Sequence, residues 1–196
     1  MKNIFIGNPP TREIERGRYD TGVYCAWRGL DEYLAKCKMT REDFLVEVAK
    51  RNREVIAIDL MCGFGRAVSD LNSLKNVTAY GIDRIYYGEW EANPKRFIRA
   101  DVADMSFIKP KSVDFIFCFF GLSSYLDNPK KAFRESLRIL APGGTSYYYA
   151  GCYSCLMSPQ INANDFRFRY AGESKKASKR CTKELSKALI VSRKEN

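Results

Sequence analysis

Histidine is absent from all 196 residues of the chain. Its absence removes the side chain most often used as a general base and as a metal ligand. Any chemistry must then rest on positioning, or on Asp, Glu, Tyr, Lys or Cys. Long apolar runs are missing as well. The best, Val113 to Leu122, contains Asp114 and falls well short of the ~20 residues that cross a bilayer. The opening Met-Lys-Asn-Ile-Phe-Ile-Gly has too short an apolar stretch for a secretory signal, so no membrane partner is expected. Cysteine numbers seven, odd and scattered, which fits reduced thiols in a cytoplasm rather than a disulfide framework. Cys152 and Cys155 form a lone CxxC, and with no histidine a metal there would need two distant cysteines to converge. No metal is expected.

What the chain does have is positive charge, a formal +10. From Arg167 to Asn196 ten Lys/Arg stand against three acids, so +7 of the excess lies in the final thirty residues. The remaining composition, 45% hydrophobic and 29% charged, is that of an ordinary folded chain of one α/β domain. Three parts are expected within it. Residues 1–50 form an N-terminal helical or lid segment, 51–152 a core, and 153–196 a basic C-terminal part.

The densest chemistry lies between Val55 and Leu71. An apolar run, Val55-Ile-Ala-Ile-Asp59, ends in an acid and gives way to the glycine-punctuated turn Met61-Cys62-Gly63-Phe64-Gly65. Such a turn presents backbone N–H groups and a carboxylate at the C-terminal lip of a parallel strand, where open α/β sheets bind ligands. A second acid, Asp83, closes the run from Val77, 24 residues after Asp59. That interval is close to the spacing of the ribose acid in dinucleotide folds. Together the two acids point to a nucleoside cofactor.

Around this motif the chain alternates strand and helix. A short helix is expected over Leu30–Lys36. Thr40 and Asp43 mark the start of a second, with Phe44, Leu45, Val48 and Ala49 as its buried face. Strand 55–60, helix 65–74, strand 77–82, strand 96–100 and strand 113–119 follow. Asn128-Pro129 opens a helix over 129–140, and Ala141-Pro142-Gly143-Gly144 is expected to end it and reverse the chain into strand 145–150. Phe166 to Tyr170 alternates as a half-exposed strand, and Ala188 to Val191 is strand-like, although a helix over 176–190 competes with it. This rhythm specifies a doubly wound, mainly parallel sheet.

In that order the residues resemble a class I S-adenosylmethionine-dependent methyltransferase, over roughly residues 40 to 150. The carriers are Asp59-Leu-Met-Cys-Gly-Phe-Gly65, Gly81-Ile-Asp83, Asp101 in Arg99-Ala-Asp-Val-Ala-Asp104, Ser112 to Cys118, and Leu137-Arg-Ile-Leu-Ala-Pro-Gly-Gly144. The resemblance implies a seven-stranded Rossmann-like sheet whose last strand is antiparallel, with S-adenosyl-L-methionine as cofactor and S-adenosyl-L-homocysteine as product. It assigns cofactor contacts to Asp59, Met61, Cys62, Gly63, Gly65, Asp83, Arg84, Asp101, Val102 and Phe119. Asp59 would meet the ammonium group, Asp83 both ribose hydroxyls, and Asp101 the adenine amino group beside the Val102 N–H. Asp104 ranks second to Asp101, and Phe119 or Phe120 would line the pocket. One position departs from the pattern: Met61 stands where the family places its first glycine, so the turn either shifts or sends that side chain into the core.

The acceptor stays open between two classes. A small molecule is the first reading, because the chain is compact and carries no recognised nucleic-acid module. RNA is the second, with the basic segment from Arg167 on phosphates. A non-catalytic protein that keeps the fold is a third. Asn8-Pro-Pro-Thr11 is similar to the Asn-Pro-Pro-aromatic motif of nucleic-acid amino-methyltransferases, but here a proline-rich turn is the default. Tyr19, Tyr24 and Trp27, with Arg18 and Arg28, are equally a lid over the cofactor or packing against the sheet. No catalytic base stands out; Tyr19 and Tyr125 are bare candidates, and Tyr153 is one for the acceptor pocket.

Overall fold

A computed structural model describes residues 3–8, 28–119, 126–149, 163–171 and 188–195. Its frame is a seven-stranded sheet. The strands are β1 (Val55–Leu60), β2 (Val77–Asp83), β3 (Phe97–Arg99), β4 (Val113–Phe119), β5 (Leu140–Tyr149), β6 (Phe166–Tyr170) and β7 (Leu189–Arg193). They lie in the order β3-β2-β1-β4-β5-β7-β6. The first five are parallel, and β7 runs antiparallel to both β5 and β6. The last strand thus has the expected direction, and Leu189 and Ile190 are strand residues, not the end of a helix.

Period-two side chains divide the core in two. Ile56, Ile58, Ile82, Ile116 and Tyr148 face one way, toward Phe133 and Leu137 of α4 (Pro129–Ile139). Ala57, Ala79, Phe115, Phe117 and Tyr147 face the other, toward α1 (Leu30–Lys36), α2 (Arg41–Ala49) and α3 (Arg66–Asn72). The helix starts follow capping chemistry. At α2 the Asp43 N–H donates to Thr40 Oγ1 (3.1 Å) and the Thr40 N–H to Asp43 Oδ2 (2.9 Å), a complete reciprocal box. At α4 the Asn128 side chain accepts from the Lys131 N–H ahead of a first-turn proline. Between β2 and β3 two short 3-10 turns, Gly88–Ala92 and Pro94–Arg96, stand in place of a helix.

One expectation needs correction. Ala141-Pro142-Gly143-Gly144 does not separate α4 from the next strand, because β5 already begins at Leu140. Val113 pairs with Leu140 and Phe115 with Thr145, so two steps along β4 match five along β5. The three extra residues are a bulge, which suits a proline that cannot donate to the ladder and Gly143 at φ 71°. Ile4 to Ile6 lie outside the main sheet. Phe5 forms an isolated antiparallel bridge with Ile108 and packs edge-on against Tyr80. Asn8 is exposed, and Pro9 to Thr11 lie outside the described residues.

Candidate functional site

The register of the parallel strands brings the two key acids to one edge. Asp59 pairs with Gly81, so Asp83, two residues further along β2, stands beside the start of the glycine turn. The chain leaves β1 with the Met61 N–H donating to the Ile82 carbonyl (2.7 Å). It then turns through three left-handed residues, Met61 at φ 60°, Gly63 at φ 53° and Gly65 at φ 81°. Methionine at such an angle costs about 1–2 kcal/mol. The Met61 side chain packs half-buried against the core. At Gly65 the need for glycine is steric too, since an added Cβ would lie 2.2 Å from Phe97 Cε1. Gly65 also caps α3, whose N-terminus faces the same edge.

The turn is held from two sides. Asp83 accepts from the Gly63 N–H on Oδ2 and from the Ile85 N–H on Oδ1, each at 3.0 Å. Each oxygen keeps a further lone pair. The indole of buried Trp90 donates to the Gly63 carbonyl (2.9 Å) while stacking on Phe97 (5.0 Å, 11°). Burial raises the Asp83 carboxyl above its usual range, against the lowering effect of its backbone donors. Cys62 is buried in the helix-side core, and burial raises its thiol well above normal.

Asp59 is the least satisfied group in this edge. It is fully buried, and its Oδ2 has one long contact, with the Tyr33 hydroxyl at 3.4 Å. Its Oδ1 is buried with no hydrogen-bond partner. Burial drives its carboxyl well up, the Tyr33 hydrogen bond opposes the rise, and the nearby Asp83 charge adds to it. An ionised carboxylate in such a place requires a cation or a strong donor. That is the fit expected for the ammonium end of a bound S-adenosylmethionine.

The other predicted residues spread around this centre. Asp101, just past β3, is exposed and accepts from the Ala103 N–H (2.8 Å) in its own turn, and the Val102 side chain is core. Asp104 is half-buried. Arg84 places its guanidinium 3.8 Å from exposed Asp127, and its carbonyl accepts from Arg99 Nε (3.2 Å). Phe119 is buried by 97%, stacked face to face on Tyr33 (4.1 Å, 8°) and paired across the sheet with Tyr149 (6.0 Å, 16°). It is an aromatic wall behind the edge. Phe120, Arg18, Tyr19, Tyr24, Trp27, Tyr125, Tyr153 and the Cys152–Cys155 pair lie outside the described residues, as does the basic stretch 173–187.

Tyr33 and Trp90 escaped the sequence reading. Both carried a signal, because a phenol inside the apolar stripe Leu30, Tyr33, Leu34, Cys37 must find a partner for its O–H when buried, and an indole N–H must do likewise. Among the described residues no group of His, Cys, Asp and Glu is placed to hold a metal, and no helix is long and apolar enough to cross a membrane.

Comparison with known proteins adds the family. The family model described as "Methyltransferase domain" matches residues 47–148, just over half of the chain. The Burkholderia thailandensis 1,6-didemethyltoxoflavin-N1-methyltransferase, solved with S-adenosylhomocysteine and 1,6-didemethyltoxoflavin bound, is 13% identical with a TM-score of 0.52, covering 83% of this chain and 80% of its own. The YcgJ protein of Bacillus subtilis is 16% identical with a TM-score of 0.51, covering 78% and 97%. A Methanococcus maripaludis structure is 20% identical with a TM-score of 0.41 and is covered over 57% of its length, so this chain spans little more than half of it. No curated protein matches. With a family model over half the sequence, the chain belongs to the class I S-adenosylmethionine-dependent methyltransferase family.

Proposed function

We propose that this enzyme transfers the cofactor's methyl group to a small-molecule acceptor, with the cofactor held by Asp59, Gly63, Gly65 and Asp83. The observation that carries the cofactor contacts is the unpartnered Oδ1 of buried Asp59, set at the same sheet edge as Asp83. When bound, the cofactor supplies a methyl carbon already activated by a positive sulfur, so little is asked of acid–base groups. Asp59 would take the ammonium group on Oδ1. Asp83 would accept the ribose hydroxyls on its remaining lone pairs while its other lone pairs keep the Gly63 and Ile85 N–H groups in place. Asp101 and the Val102 N–H would meet the adenine edge, with Met61, Cys62 and Arg84 shaping the walls and Phe119 backing the reacting end. Residues 51–152 then form the cofactor-binding core, 1–50 its cover and 153–196 its basic flank. The buried free thiols Cys37, Cys62 and Cys118 favour a cytoplasmic setting.

A small acceptor is favoured by the character of the edge. Its described polar side chains are mostly acidic, Asp59, Asp83, Asp101 and Asp104, and they would repel a phosphate chain. RNA is the second reading, favoured by Arg167 and Arg169, both exposed on edge strand β6. Strand β6 lies three places from β4, about 14 Å at ordinary strand spacing. The test is isothermal titration with S-adenosylmethionine, followed by labelled-methyl transfer into cell extract separated into small-molecule and RNA fractions. Label in the small-molecule fraction is expected. Label in RNA, lost as salt rises, would overturn the acceptor class and leave the cofactor reading intact.

A further inference from the structure

We propose that Tyr33 is a positioning residue for the cofactor's amino-acid end, its hydroxyl fixing Asp59 so that Oδ1 alone faces the incoming ammonium group. The proposal rests on the cofactor reading above. A carboxylate has two equivalent oxygens and a broad torsion about its last bond. Left alone in a buried pocket, it would share its charge between two directions. The Tyr33 hydroxyl breaks that symmetry by donating to Oδ2 at 3.4 Å, while Oδ1 keeps no partner.

The tyrosine itself is well fixed. Its ring lies on Phe119 at 4.1 Å and 8° and against Phe117 at 6.2 Å and 28°. This sets the ring plane and hence the line of the hydroxyl. Helix α1, which carries it, is pinned at its first turn by Asp70 of α3, whose Oδ2 accepts the Leu30 N–H at 2.8 Å. Helix α3 is capped at its N-terminus by Gly65. The residue that orients the acid and the turn that cradles the ligand are therefore referenced to one rigid body. Four titratable groups surround the Asp59 carboxyl: Tyr33 from α1, Cys62 from the turn, Asp83 from β2 and Cys118 from β4. Burial raises the phenol and both thiols, so these three stay neutral donors through the physiological range.

The test is Tyr33→Phe, which keeps the ring and its stack and removes one oxygen. Affinity is measured by calorimetry for S-adenosylhomocysteine and for 5′-methylthioadenosine, which keeps the adenosine and sulfur but lacks the ammonium and carboxylate groups. At pH 7 the variant should bind S-adenosylhomocysteine about tenfold more weakly and 5′-methylthioadenosine as the wild type does. Removing a donor to the ionised acid should also move the pH profile of S-adenosylhomocysteine affinity upward. On an Asp59→Asn background the same change should cost nothing further. Equal loss for both ligands, or no loss for either, overturns the positioning role. A wild-type protein that binds neither ligand overturns the cofactor reading, and this inference falls with it.

Discussion

Asp59 and Asp114 sit on adjacent parallel strands, both buried, and they live in opposite circumstances. Asp114, near the start of β4, accepts from Arg53 Nη1 at 2.9 Å, Arg53 Nη2 at 2.5 Å and the Ile56 N–H at 2.9 Å. Asp59, near the end of β1, has one contact at 3.4 Å and an oxygen with none. A buried carboxylate that is fully paired ties two strands together at the N-terminal edge of the sheet. A buried carboxylate left short of partners lowers stability in the empty protein and is of use only when something else arrives. On the cofactor reading proposed above, the two ends of one sheet separate holding the fold from holding a ligand.

The largest expected effect follows from Asp59→Asn. It should weaken S-adenosylmethionine binding by roughly a hundredfold or more, the loss typical of a buried charge-assisted contact of up to ~3 kcal/mol. The same change should stabilise the ligand-free protein. Because burial raises the Asp59 carboxyl in the folded state, the unfolded chain ionises first, and stability is lost as pH climbs above the ordinary carboxyl range near ~4. Asparagine escapes that loss, so its advantage should be absent at pH 4 and grow toward pH 8. A gain of about 1–2 kcal/mol would appear as a rise in Tm of roughly 3–6 °C. An advantage over the wild type that is no larger at pH 8 than at pH 4 would mean that Asp59 is already satisfied.

Asp114→Ala should break the comparison from the other side. It strands the Ile56 N–H and unpairs Arg53, which is half exposed and recovers part of its solvation. A loss of about 2–4 kcal/mol is expected, read as a Tm lower by roughly 5–10 °C, with cofactor affinity of the folded protein within twofold. Next in size is Trp90→Phe. Stacking on Phe97 survives, but the Gly63 carbonyl loses its donor, which should cost about 1–2 kcal/mol and weaken cofactor binding severalfold through the loosened turn. Unchanged affinity would show that the turn needs no support from behind.

Much of this was legible beforehand, for identifiable reasons. Strands β1 and β4 were read to the residue, because buried parallel strands are short apolar runs with sharp polar ends. The acids at the ends of β1 and β2 were found because strand register alone carries them to one edge. The bulge in β5 was misread because Pro-Gly-Gly signals a break equally well for a turn and for a bulge, and only pairing with β4 separates the two. Tyr33 and Trp90 were missed because their roles depend on contacts across 26 and 27 residues of sequence, which no local pattern encodes. Phe119 was assigned to the pocket from its place at the end of β4, and its burial between Tyr33 and Tyr149 depends on a helix contributed from elsewhere in the chain.

The smallest effect sharpens the comparison at Met61, where the family pattern asks for glycine and the chain offers a side chain. The backbone there is left-handed, φ 60°, and the side chain recovers part of the cost by packing against the core. Met61→Gly removes the steric cost and the packing together. Met61→Ala removes the packing and keeps the cost. In an extended or helical position alanine is the more stable of the two by about 0.5–1 kcal/mol. Here the order should reverse, with glycine ahead by up to about 1 kcal/mol, and chemical denaturation of the two variants would read the difference directly. Alanine equal to or above glycine would mean that the turn is not left-handed at residue 61, and that the strain at this edge lies in the acid alone.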